Sequence, residues 1–421
     1  MYPHPDHPGR LRSLIRLAGH YYERYEILQD PHDIELSIEK SSDVERRTTP
    51  NDQIRPDALL ILAKAQYVRY NQTPQQIKLE AVIGYSSEAA SLYPNDNPFR
   101  AETLMVLSVA LYDRYRVPPG QNYSQPPHDD LDNAISSSTT AVDLFPPGHP
   151  SLPDSRVKLS TFLFSRYHRR KNLGDLQLSV HHAKLASVDL TPDKRPGALI
   201  YLGHLLTHLS HDSRTLMELS ECSKEALDLL PPGDDRRAGA IQNLVTASHR
   251  MYVTLNSAPH LDEAIDHNRQ LLQLLPCGSG PRCSQLRLHR VLLEYRWNEK
   301  QLDADLVEIA NTSREIEVTD PQNYHDPYYS PQPPTPPSST SDTPPVGPLV
   351  ARPFEYHPPQ HWSPRPYYYD DSAVSVAGAA YSSNNSAETG DYGSGSDSSL
   401  VAHTVNLSFI EPGLDRVSSS S

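Results

Sequence analysis

Arg100 to Tyr115 reads RAETLMVLSVALYDRY, and the spacing of its residue types returns six more times along the 421-residue chain. With the arginine as position zero, the skeleton begins at Arg10, Arg55, Arg100, Arg156, Arg195, Arg237 and Arg282. Four residues on stand Leu14, Leu59, Leu104, Ser160, Leu199, Ile241 and Leu286, and seven on stand Leu17, Leu62, Leu107, Leu163, Leu202, Leu244 and His289. Offsets of four and seven fall on one helix face, so each copy predicts an amphipathic helix A. At plus eight, Ala18, Ala63, Ser108 and Gly203 let a neighbouring helix come close, while Phe164 and Val245 break the rule. At plus fourteen and fifteen the pair is Arg24-Tyr25, Arg69-Tyr70, Arg114-Tyr115 and Arg296-Trp297; Arg170-Lys171, Leu209-Ser210 and Met251-Tyr252 depart from it.

Between these segments a helix B recurs. In the third copy it carries Leu131, Ala134, Ile135, Ala141, Val142, Leu144, Phe145 and Pro146, and in the sixth Leu261, Ala264, Ile265, Leu271, Leu272, Leu274, Leu275 and Pro276. The second copy (Leu79 to Pro94) and the fifth (Leu216 to Pro231) repeat most of this. Pro94, Pro146, Pro192, Pro231 and Pro276 are predicted to stop helix B, because an internal proline removes a backbone donor and clashes with the turn before it. The unit is therefore helix A, loop, helix B, proline stop. A unit of this kind cannot bury its own apolar stripe, so neighbours must stack.

The balance of 38 basic against 52 acidic residues leaves a net charge of -14, which argues against nucleic acid and anionic membranes as partners. Three cysteines, Cys222, Cys277 and Cys283, make no disulfide framework and point to a reducing, cytoplasmic setting. The start, MYPHPDHPGRLRSL, lacks the apolar stretch of a signal peptide, and nothing approaches the roughly 20 apolar residues of a membrane span. Helix A of the first copy begins so close to Met1 that no capping helix precedes it. Either the N-terminus is partly exposed or the chain is a piece of a longer protein.

The arginine spacings are 45, 45, 56, 39, 42 and 45; the longest contains the insertion PPGQNYSQPPH after Val117. After the seventh helix A, Gln301 to Val318 places Leu302, Leu306, Ile309 and Ile316 on one side, as a closing helix would. The repeat domain therefore runs over 8–318. Residues 319–421 form a Pro/Ser/Tyr-rich tail predicted to be disordered, with a β-prone stretch at Leu400 to Ile410. Its proline clusters favour polyproline II, which SH3 and WW modules bind, and Ser330, Thr335, Thr343 and Ser363 each precede proline.

A helix-turn-helix repeat with a small residue in the helix and a terminal proline resembles the tetratricopeptide pattern of about 34 residues. The longer units are similar to those of kinesin light chains. They also resemble the arrays of large fungal proteins in which such units precede a caspase-like CHAT protease domain, where phrases like DLDNAISSSTTAVDLFPPGHPSLPDSR recur. The resemblance covers residues 8 to 318. It implies a right-handed superhelix with A helices on the concave side, and peptides or protein segments as ligands.

Several side chains are candidates for chemistry. The position-zero arginines open helices, where the macrodipole disfavours a cation. Asp6, Asp52, Asp96, Asp154, Asp193 and Asp235 lie two to four residues upstream, so local ion pairs are expected, together with carbonyls of the preceding helix B. The alternative is a row of cations engaging an acidic peptide. Arg24, Arg69 and Arg114 divide between packing on the adjacent tyrosine and reaching into the groove. His204, His208 and His211 share a helix face, but the Glu of a zincin motif is missing and the third nitrogen is too far along for tetrahedral closure. Cys277, Cys283 and His289 have loose ligand spacing interrupted by the turn Gly278-Ser279-Gly280. No metal or other cofactor is expected. No cysteine follows a strand, and there is no P-loop or dinucleotide fingerprint, so no catalysis is expected.

The sequence thus predicts an all-α protein, an α-solenoid of about six to seven tetratricopeptide-like (TPR-like) repeats with a disordered C-terminal tail. Its function is read as a non-catalytic scaffold binding a protein or peptide in a groove that includes Arg24, Arg69, Tyr70, Arg114, Tyr115, His204 and His208. The alternative is the regulatory repeat region of a CHAT-type protease whose catalytic domain is absent from this chain. Leu107→Ala is expected to cost roughly 2–5 kcal/mol and Pro336→Ala nothing measurable.

Overall fold

The computed structural model describes residues 7–72, 76–116, 129–209 and 212–319. His211, most of the insertion after Val117, Pro336, the proline motifs and Leu400 to Ile410 lie outside these residues. Among the described residues there are fourteen α-helices and no strand. The A helices are α1 (Pro8–Leu28), α3 (Arg55–Gln72), α5 (Pro98–Arg116), α7 (Leu152–Arg170), α9 (Arg195–Thr207), α11 (Arg237–Leu255) and α13 (Gly280–Lys300). The B helices are α2 (Pro31–Arg47), α4 (Gln76–Leu92), α6 (Asp130–Leu144), α8 (Leu173–Asp189), α10 (Ser213–Leu229), α12 (Ala258–Leu274) and α14 (Asp303–Thr319). They fall into two compact units, residues 7–267 and residues 268–319, the division lying within α12.

The two turns of each repeat have different chemistry. Four of the seven A helices end on one residue in the left-handed region, Gln29, Lys171, Asn256 and Gln301, with φ near 50°, whereas α9 ends on right-handed His208. Helix B then starts almost at once, often under a side-chain cap: Asp30 accepts from His32 N, Asn172 from Gly174 N and Asp212 from Thr215 N. B helices instead run out into extended residues, Thr48, Phe145, Leu190 and Leu230, before the prolines. Three of these exits share a Pro-x-Gly turn in which Gly148, Gly233 and Gly278 sit at φ of 80°, 92° and 77°, where a Cβ would be strained.

From α1 to α10 each A helix packs on its own B helix, and each B helix on the A helix that follows, as far as α11. The A helices also touch one another: α1 with α3, α3 with α5, α5 with α7, and α9 with α11. α3 is therefore enclosed, with Ala58, Leu59, Leu62 and Ala63 all fully buried. The small residues at plus eight do what their size suggests. Ala18 is fully buried and its carbonyl accepts from Ser37 Oγ of α2 at 2.9 Å. A Cβ on Gly203 would stand 2.5 Å from Asn243 Nδ2, whose amide donates to Ile200 O at 2.9 Å and joins α11 to α9. In the second unit Leu272, Cys283, Leu286 and Ile316 form the core.

Four expectations are corrected. Leu17 is exposed. Leu107 is only half-buried, packed against two clusters at their margin. Leu302 and Leu306 are exposed; α14 buries Asp305, Thr312 and Ile316 instead. The fourth copy is displaced by one helical turn: Ser160, not Phe164, is the fully buried small residue, exchanging hydrogen bonds with Ser179 of α8 at 2.8 Å. Leu62→Ala should therefore lower the urea stability by about 2–5 kcal/mol, and Leu107→Ala by distinctly less; equal losses would contradict this packing.

Candidate functional site

Three of the seven position-zero arginines bind backbone carbonyls, and four pair with acids other than the upstream aspartates expected. Arg55 Nη1 donates to the carbonyls of Glu45 and Thr48, both at 2.8 Å. Arg237 does the same to Leu227 and Leu230, and Arg282 to Leu272 and Leu275, so the reach is ten and seven residues back in every case. Each guanidinium neutralises the negative C-terminus of the preceding B helix. In four of the seven copies the position-zero arginine also pairs with an acid, not the aspartate upstream but one from the last turns of its own helix B: Arg55 with Glu88 at 2.6 Å, Arg156 with Asp189 at 3.0 Å, Arg195 with Glu225 at 2.6 Å, Arg282 with Glu315 at 2.7 Å. The upstream aspartates are used otherwise, Asp52 by Thr49 N and Asp154 by Lys194.

The arginines near the end of helix A close the opposite corner. Arg114 binds Asp130 through Nε and Nη2, both at 2.7 Å, and Glu80 through Nη1 at 2.7 and 2.9 Å. Arg166 holds Asp175 in the same two-pronged way at 2.9 and 2.7 Å and reaches Asp132 at 3.0 Å; Arg296 holds Asp305 at 3.1 and 2.6 Å. Arg24 grips Asp33 through both nitrogens, and its hydrogen bonds hold that carboxyl below the usual carboxylate range. Arg69 meets Glu35 at 3.1 Å. All four aspartates are buried and each precedes Ile34, Leu131, Leu176 or Leu306 at the start of a B helix. These guanidinium groups are thus spent on bidentate pairs within the fold.

The face along which A helices meet is polar but already paired. Lys64 of α3, almost wholly buried, lies 2.5 Å from Glu102 of α5, and the Tyr67 hydroxyl donates to Asp113 at 2.7 Å. Burial pushes the Asp113 carboxyl up, and that of Glu26 on α1 up to about 7. Tyr112 Oη of α5 and Ser165 Oγ of α7 are 2.7 Å apart.

Beyond this seam, the last turns of α3, α5 and α7 carry half-exposed tyrosines, with the buried rings of Phe162 and Phe164 behind them. Tyr70 stacks on Tyr67 at 6.2 Å, and Tyr115 lies 6.1 Å from Tyr112, which packs on Phe162 of α7 at 4.5 Å. Phe164, Tyr167 and His168 of α7 then surround His208 of α9 at 5.2, 6.3 and 5.3 Å. His204 stands edge-on to Phe164 at 5.5 Å and to His208 at 5.0 Å. Burial first, then His204, His168, Arg250 and Lys171, push the His208 imidazole down to about 3, so it is neutral at ordinary pH. Among the described residues no three His, Cys, Asp or Glu side chains converge as metal ligands. His289, separated from exposed Cys277, pairs with Glu308 at 2.8 Å.

Helix pairs with a small residue where A meets B, stacked so that A touches the next A, define the architecture. The array is tetratricopeptide-like. No protein-family model matches the chain, and no curated protein does. Among solved structures, the C-terminal part of a TPR repeat-containing protein from Cytophaga hutchinsonii is 14% identical, over 74% of this chain and 96% of that one, with a TM-score of 0.44. Nearly identical TPR-like repeats of a putative kinesin light chain from Podosopora anserina are 16% identical over 60% of this chain and 100% of that one, TM-score 0.33. The nuclear import adaptor Nro1 of S. pombe is 13% identical over 72% and 98%, TM-score 0.35.

Within this tetratricopeptide-like array, the residues expected to form one groove separate into two settings. Arg24, Arg69 and Arg114 are at the A–B corners in ion pairs, whereas Tyr70, Tyr115, His204 and His208 belong to the row of rings. Tyr112, Phe164, Tyr167 and His168 were not foreseen as members. The signal was present as a pair of aromatics three apart at the end of each A helix: Tyr67/Tyr70, Tyr112/Tyr115 and Phe164/Tyr167. No helix is long and apolar enough to cross a membrane among the described residues.

Proposed function

We propose that the chain is a non-catalytic scaffold that binds a peptide or protein segment along the A-helix side of residues 7–267, on the row of rings from Tyr67 to His208. The observation that carries this is the recurrence of half-exposed tyrosines at the ends of α3, α5 and α7, with Tyr112 packed on Phe162 across α5 and α7 and His208 beside Phe164 and Tyr167 at the end of α9. Tyrosine offers large contact area at low entropic loss and dominates peptide-binding hot spots. The charged seam beside it is internally paired and offers a ligand little, so recognition falls to the rings. Three free cysteines, two of them buried, support a reducing, cytoplasmic location. No feature of the described residues favours the CHAT-linked alternative.

The test is panning of displayed random peptides on the full chain, followed by titration of the selected sequences. Tyr115→Ala should weaken their binding by roughly tenfold or more, as loss of an aromatic anchor does. Leu178→Ala, on the exposed side of α8, should leave it unchanged. The reverse pattern would place the binding face on the B helices and remove this proposal.

A further inference from the structure

We propose that the outward face of α8 is a second docking surface, separate from the row of rings, and that it takes an amphipathic helix of a partner protein whose apolar stripe is bordered by Lys or Arg. Leu178, His181, Leu185 and Val188 stand three, four and three residues apart, the spacing of a two-helix seam, over about 15 Å of helix. Three of the four are large apolar side chains left in solvent, Leu178 at 50%, Leu185 at 37% and Val188 at 70% exposure. Single exposed leucines are ordinary, whereas an aligned stripe marks a contact. The neighbouring B helices are polar at the same places. Counted from the buried Leu131, Leu176 and Leu216 near their starts, α6 carries Asn133, Ser136, Thr140 and Asp143, and α10 carries Glu218, Glu221, Glu225 and Asp228. The stripe therefore belongs to α8 and not to the repeat. Stacking uses the other side of α8, where Leu176, Val180, Ala183 and Ala186 are buried.

The acids of α10 decide what borders the ligand's stripe. Lys184 of α8 pairs with Glu218 of α10 at 2.5 Å, which joins the two outward faces, and a groove of about 590 Å³ lined by Lys184, Arg214, Met217 and Glu221 lies there. Met217, 56% exposed, adds an apolar side chain to it. The exposed surface of α10 has two cations, Arg214 and Lys224, against four acids, so its field is negative. Glu225 is held by Arg195, whereas Glu221 and Asp228 form no ion pair among the described residues and are open to cations of a ligand. A second copy of the chain would bring another acidic row to the same place and fits less well. A short peptide, marginally helical in water, does not present the matching stripe, so this face and the row of rings read different ligands.

Two hydrocarbon-stapled model helices test this by fluorescence anisotropy on the full chain. Both carry Leu at the seam positions of about three heptads, one flanked by Lys and the other by Glu. The Lys helix should bind roughly tenfold more tightly than the Glu helix, with an affinity that falls as salt rises. Leu178→Ser/Leu185→Ser should weaken it roughly tenfold, and Glu221→Lys/Asp228→Lys should reverse the preference between the two helices. All four positions are exposed, and melting curves would establish that the variants are folded. Tyr115→Ala should change nothing; loss of binding there would move the helix to the row of rings and overturn the proposal. So would a Glu helix that binds equally well, or a Lys helix indifferent to both double variants, which diffuse charge alone would hold. Sedimentation velocity decides the occupant: a dimer of the natural chain that Leu178→Ser/Leu185→Ser makes monomeric would put a second copy on α8 and overturn the assignment to a partner helix.

Discussion

Asp130→Ala is expected to destabilise the first unit by about 3 kcal/mol, because it strips a nearly buried arginine of its two-pronged partner. Asp130 is 2% exposed and the Arg114 side chain 14%, so water can repay little of what is lost. Glu80 remains on Nη1 and keeps the loss at the lower end for a broken buried pair. Asp130 and Glu80 accept hydrogen bonds from the guanidinium and hold its pKa above its usual value; without Asp130 the arginine is still charged at neutral pH, so a half-partnered cation is left in the corner. Replacing both partners by apolar residues, Arg114→Met with Asp130→Leu, should recover most of the stability, since no charge is then stranded. Chemical denaturation followed by circular dichroism measures both. A wild-type midpoint for Asp130→Ala would mean that the corner contributes nothing to the stack.

Acid should loosen the same unit through its buried histidines, with Glu26, whose carboxyl burial raises to about 7, taking up its proton over the same range and offsetting about one of them. Burial lowers His208 to about 3, and lowers His182 and His249 each to about 4, against an ordinary value of 6.5. The fold therefore favours neutral imidazole. Above pH 6.5 both folded and unfolded chains are neutral at these positions and stability is complete. As pH falls below 6.5 the unfolded chain takes up protons that the fold resists, so stability declines by about 1.4 kcal/mol per pH unit for each histidine until its folded value is reached. Urea midpoints should drop steeply from pH 7 to pH 5, and His208→Phe with His249→Phe should flatten the decline. A slope that these substitutions do not alter would show that the three imidazoles are solvated.

Much of this architecture is legible in the residues. The stripes at four and seven, the small residue at eight and the prolines place the helices to within a few residues, because local periodicity and backbone chemistry govern them. Long-range pairing is harder to read. Asp52 and Asp154 are near their arginines in sequence, yet the arginines point across the hairpin to Glu88 and Asp189, since helix geometry carries them away from the preceding turn. The rule linking Arg24 to Asp33, Arg166 to Asp175 and Arg296 to Asp305 is a fixed step of nine residues and could have been seen. It would have corrected the fourth copy, where Arg170 was aligned in place of Arg166. Where helix A has Met251 at that position, helix B has His260 nine residues on, so ion and counter-ion are lost together. The row of rings depends on how neighbouring A helices lie against each other, which no single repeat can disclose.

The corner between α5 and α6 bridges a long excursion of chain and still closes with the same bidentate geometry as the corners made by one or two residues. Length at this hinge is therefore decoupled from register: what locks the helices is the handshake of Arg114 and Asp130, not the number of residues travelling between them. Changing the number of residues between Arg116 and Asp129 should therefore leave the hairpins on either side in register.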